Sequence, residues 1–137
     1  MAAAGAAAGV AATVGNRAPS ATSSTTPAPR WSLRLFNCDD ACRAFINGGF
    51  VREIGLGGDT GNLDISRELR AGPNEIAFEL VNAHGGIAYG FQVLRDDSIV
   101  YQEICGLVFR VGCQDDQRFP PGVAARFTYT VPGGGAR

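Results

Sequence analysis

The chain contains no lysine: all twelve of its basic residues are arginine. That absence excludes Schiff-base catalysis and the P-loop phosphate cradle, both of which need a lysine amine. Arginine forks suit carboxylate or sulfate recognition. A composition heavy in Ala and Gly accounts for the same bias without function, and that plainer reading is preferred. There is a single histidine, His84. A catalytic triad would have to run through it, yet neither Ser66 nor Ser98 lies in a G-x-S-x-G elbow. Charge is scarce: 18% of residues, with a formal net charge of −1. So weak a field draws the chain neither to nucleic acid nor to an anionic membrane. No apolar run is long enough to span a bilayer. No C-x-x-C knuckle is present, so structural zinc is not expected. No N-x-S/T sequon occurs, so N-linked glycans are not expected.

What is present is a globular composition, 45% hydrophobic over 137 residues, enough for one core. Residues 1–15 are nearly pure Ala, Gly and Val, without the positive start of a signal peptide. Residues 16–30 are a Ser/Thr/Pro/Ala linker, which could take O-linked sugars. Together, 1–30 read as a leader and linker arm, and 133–137 as a Gly-rich tail. From Trp31 the pattern alternates with period two. Leu33 and Leu35 precede a turn, and Phe45 and Ile46 follow it. Val51 to Leu56, then Ile76, Phe78 and Leu80, then Tyr89, Phe91 and Val93 read as strands. So do Leu107, Phe109 and Val111, and Phe127, Tyr129 and Val131. Turns at Asn47-Gly48, Gly57-Gly58-Asp59, Gly72-Pro73-Asn74, Asp96-Asp97 and Pro120-Pro121-Gly122 separate them. Only Ile65 to Leu69 reads as a helical turn, with Ser66 as its cap. Short strands at this spacing predict an all-β, antiparallel sandwich or jelly roll over 31–132.

The four cysteines allow three connectivities. Cys38 and Cys42 are close in sequence, as are Cys105 and Cys113. Two local bridges, with Cys38 and Cys42 facing each other across a hairpin, are the expected pairing. Bridges imply an oxidising compartment, hence a secreted or cell-surface protein. Four idle thiols in a cytosolic protein are the alternative.

Two stretches carry a family likeness. Asp39-Asp40-Ala41-Cys42-Arg43-Ala44-Phe45-Ile46-Asn47-Gly48 resembles the "D-D-x-x-x-x-(aromatic)-(aliphatic)-N-G" hairpin of the galactose-binding-like β-sandwich. This jelly-roll accessory domain is found on glycoside hydrolases and surface proteins. Asp64-Ile65-Ser66 through Leu69, Gly72, Asn74, Ile76 and on to Asn82 is similar to that family's turn-into-core-strand segment. The likeness spans about 31–95 well and 96–131 loosely. It implies a sandwich and a sugar-binding or other binding role. Its motifs specify fold better than function. The cysteines around Asp39-Asp40, and Cys105 with Cys113, depart from the pattern and mark a stapled variant.

The expected function is therefore a non-catalytic extracellular binding module with carbohydrate as ligand. The alternative is an assembly subunit of a surface appendage, virion or large complex, contacting neighbours through residues 1–30. Asn47 and Phe50 on one loop, and Asn82 and His84 on another, are the candidate ligand contacts. Sugar faces stack on flat rings, and Phe50 directly follows a turn; Trp31, Tyr89, Tyr101 and Phe119 are weaker aromatic candidates. Asp39 and Asp40 are the candidate ligands for a structural calcium, the one cofactor considered. Asp96-Asp97 and Asp115-Asp116 are similar pairs, but Asp favours turns for its own reasons. A glycosidase acid–base pair needs two carboxyl groups across a cleft, which a domain this small is not expected to build.

Overall fold

A computed structural model of the chain describes residues 27–83, 85–113 and 120–132. His84, Asp115-Asp116, Phe119, the tail and all of the arm before Pro27 lie outside the described residues. Among the described residues, eight strands form the fold: β1 (Trp31–Asp39), β2 (Ala41–Ile46), β3 (Gly49–Ile54), β4 (Leu63–Asp64), β5 (Asn74–Asn82), β6 (Ala88–Arg95), β7 (Ser98–Cys105) and β8 (Gly122–Val131). They make two four-stranded sheets, in the orders β4-β1-β6-β7 and β3-β2-β5-β8, and every described pairing is antiparallel. The expected all-β, two-sheet, disulfide-stapled architecture is what the chain adopts.

Alternation puts one face of each strand inside. Leu33 and Leu35 on β1, Ile76, Phe78 and Leu80 on β5, and Phe91 and Val93 on β6 are fully buried. Phe78 of one sheet stacks on Phe91 of the other, with ring centroids 4.9 Å apart. Tyr89, Phe127, Tyr101 and Tyr129 extend this aromatic seam toward the β7–β8 side. Large flat rings of this kind contribute both area and directional packing to the inter-sheet contact.

The turns follow their residue types. Asn47 and Gly48 link β2 to β3 with φ of 51° and 83°, the mirror-image geometry that Asn-Gly favours. Asp96 and Asp97 do the same between β6 and β7 at 49° and 66°. Arg30, at the end of the linker, docks on that second turn. Its N–H donates to Asp96 Oδ1 at 2.9 Å, and its guanidinium pairs with Asp97.

Three expectations are corrected. Cys38 and Cys42 do not face each other across a hairpin: β1 and β2 belong to different sheets, so the bridge crosses the corner between them. The helical turn is a 3-10 turn over Ser66–Glu68 without a Ser66 side-chain cap. Asp64 accepts from the Ser66 N–H at 2.8 Å instead, and that bond holds its carboxyl below the usual range. Leu107, Phe109 and Val111 do not form a core strand; they are 54%, 75% and 59% exposed on a tight loop.

Candidate functional site

The antiparallel order gives the sandwich two unlike ends. One carries the Asn47-Gly48 and Asp96-Asp97 turns. At the other, β1, β3, β5 and β7 finish and β2, β6 and β8 begin. Both disulfides stand at this second end, Cys38–Cys42 at the sheet corner and Cys105–Cys113 closing the loop after β7.

The second bridge forces the local shape. Eight residues of extended strand would cover roughly 26 Å, whereas Cys105 and Cys113 have Cα atoms 5.3 Å apart. The chain must therefore reverse between them. Leu107 and Val111 exchange both backbone hydrogen bonds, at 2.6 and 2.9 Å, leaving Val108, Phe109 and Arg110 as the tip. Gly106 makes the entry: its φ is +72°, and a Cβ there would meet the Val111 carbonyl oxygen at 2.7 Å. Cys113 N–H donates to Ile87 O at 2.7 Å, tying the exit to the β5–β6 connection.

Asn37 clamps the loop from β1. Its Nδ2 donates to Gly106 O at 3.0 Å and Tyr89 O at 3.2 Å, while its Oδ1 accepts from Val108 N–H at 2.8 Å. Among the described non-glycine residues with positive φ, all but Phe109 are Asn or Asp. A bulky side chain at φ 67° is a genuine outlier, sustained only where its surroundings over-determine it. The Phe109 ring rests on Gly57, where an added Cβ would come within 2.9 Å of it. Next to Gly57, Leu56 is 52% exposed. The fold thus holds an aromatic tip rigidly and leaves it in solvent.

Beside this tip opens a cleft of about 410 Å³, lined by Asp39, Gly86, Ala88, Leu107 and Phe109–Gly112. Arg110 is exposed, and no carboxylate among the described residues pairs with it. Phe109, Arg110 and Asp39 therefore border one shallow opening. That combination suits recognition of a small polar ligand with one apolar face.

The residues expected from the sequence divide between the two ends. Asn47 lies at the opposite end, where its side chain donates to Asn74 Oδ1 at 2.8 Å and accepts from Glu75 N–H at 2.9 Å. Both amide atoms are engaged in holding the turn. Phe50 is 62% exposed and lies edge-on to Phe45 with centroids 6.0 Å apart. Asn82 is at the cleft end but 1% exposed, and its amide donates to Pro120 O at 3.3 Å. Asn74 and Asn82 terminate the same nine-residue strand, so the two candidate loops stand roughly 26 Å apart. The structure does not bring Asn47 and Phe50 together with Asn82. Of the weaker aromatic candidates, Trp31 is buried, and Tyr89 and Tyr101 are half-buried.

Asp40 accepts from Ala83 N–H at 2.6 Å, bracing the sheet corner against the next connection. Asp39 lines the cleft. No group of three or more His, Cys, Asp or Glu side chains that could hold a metal ion gathers among the described residues. No helix among the described residues is long and apolar enough to cross a membrane. No protein-family model, curated protein or solved structure matches the chain.

Proposed function

We propose that this chain is a non-catalytic binding module of an oxidising compartment that takes carbohydrate at the disulfide-bearing rim. The observation that carries the reading is Phe109: a three-quarters exposed ring, held by a bridge, a glycine seat and the Asn37 clamp beside an open cleft. Exposed rings cost solvation, and fixing one in a strained backbone costs more, so the fold invests stability in presenting it. A sugar face laid on that ring would expel water, and cleft polar groups would replace its hydroxyl hydrogen bonds. The galactose-binding-like likeness of 31–95 agrees with this use, as an analogy of fold.

A glycan array tests the reading with the wild-type chain, Phe109→Ala and Phe50→Ala. Retention of glycan by wild type and Phe50→Ala, and its loss by Phe109→Ala, is the expected pattern. Loss in Phe50→Ala alone would move the site to the opposite end.

A second reading has its own support. Leu56, Leu107 and Val111 are also more than half exposed around Phe109, and a patch of that kind suits a protein neighbour. The rim would then be an assembly contact. Sedimentation showing an oligomer that Phe109→Ala dissolves, with no glycan retained, would decide for this alternative.

A further inference from the structure

The cleft holds more information than a ring. Arg110 stands one residue from Phe109 at the tip, is exposed, and lacks a carboxylate partner among the described residues. Arg34, Arg43 and Arg126 are paired within the fold, with Asp59, Glu53 and Glu79. Arg52, Arg67, Arg70 and Arg95 have no ion pair among the described residues either, and what sets Arg110 apart is its place on the cleft beside the Phe109 ring. A guanidinium is a planar fork of donors that matches a carboxylate with two parallel hydrogen bonds. On a loop this firmly braced, little conformational freedom remains to be lost when such a bond forms.

We infer that the rim site takes an acidic glycan, one whose pyranose units carry a carboxylate, as in uronic acids. This rests on the carbohydrate reading above. The ring of Phe109 takes the flat face of the sugar, and Arg110 takes the carboxylate in a bidentate contact. Arg110 thereby orients the sugar, with its carboxylate toward the loop tip. The site is shallow, so binding is weak and the charged contact contributes a large share of it.

The test uses the full chain with two probes, trigalacturonate and its methyl ester, whose rings are the same but whose carboxylates are neutralised. Calorimetric titration at low salt should show the free acid binding roughly tenfold more tightly than the ester, the scale of one charge-assisted hydrogen bond. Arg110→Gln should bring the acid down to the affinity of the ester. Phe109→Ala should lose both, and added salt should weaken only the acid. Equal affinity for acid and ester, or a preference that survives Arg110→Gln, overturns the acidic-sugar assignment while leaving the carbohydrate reading intact. Failure of wild type to bind either probe or any neutral glycan removes that parent reading, and this inference with it. Arg110 is exposed, so a thermal melt matching wild type establishes that the variant is folded.

Discussion

At the scale of single residues, polarity misleads and exposure decides. Asn47 and Asn82 carry amides of the type that bind sugars, but the Asn74 side chain and the Glu75 N–H engage the first, and Pro120 O accepts from the second. Phe109 carries no signal of its own, since its alternation with Leu107 and Val111 mimics a core strand. The readable sign was Cys105 and Cys113 on either side, because a bridge eight residues apart cannot span a straight strand. The core was legible: Phe78, read as buried from period two alone, is fully buried against Phe91. Phe78→Ala should cost ~3–5 kcal/mol by the cavity it leaves, and a melt equal to wild type would exclude that packing. Phe109→Ala should leave the melt unchanged. Arg34 donates to Asp59 at 3.0 and 2.6 Å, and that bond holds the Asp59 carboxyl below its ordinary value of 3.8. The pair's stabilisation is full above that pH and fades as pH falls through the depressed folded value. Asp59→Asn should accordingly flatten the acid limb of the stability curve. Burial, then Glu103, pushes the Tyr101 phenol up to about 12 from 10.0. The stability that goes with its protonated form is complete below pH 10.0 and is lost as pH rises toward 12. Burial also pushes the Tyr89 phenol up, so titration of tyrosinate absorbance should show a late-ionising fraction that shrinks in Tyr101→Phe and does not vanish.

Among the elements, strand existence was legible and sheet membership was not. Period two marks which residues face inward, but says nothing about which sheet a strand joins. The Cys38–Cys42 spacing fits a hairpin and a corner equally well, and only the pairing of β1 with β6 and of β2 with β5 separates them. The two bridges consequently differ in role. Cys38 and Cys42 are fully buried between the sheets, so Cys38→Ser with Cys42→Ser should cost ~2–3 kcal/mol, roughly 10 °C of melting temperature for a domain of this size. Cys105→Ser with Cys113→Ser acts on the loop. Its expected effect is faster amide exchange over Gly106–Gly112 and weaker glycan binding, with strands β5 and β6 unchanged. Equal protection of that loop with and without the bridge would mean that Asn37 and Gly106 alone hold it.

For the whole molecule, the proposed function would have the sandwich separate stability from recognition along its length. The aromatic seam fills the middle, the plain hairpin turns close one end, and both disulfides, the strained Phe109 and the open cleft gather at the other. Such a division is how rigid scaffolds carry binding loops. Loop positions depend on which strands end together, which only the three-dimensional order reveals, so the rim could not be read from spacing. Heteronuclear NMR of the isotope-labelled chain during titration with trigalacturonate locates recognition in one experiment. Amide signals of Gly106–Gly112 and Asp39 should shift in a saturable manner while those of Asn47–Phe50 stay in place. Saturable shifts confined to Asn47–Phe50 would place recognition at the wrong end of the molecule.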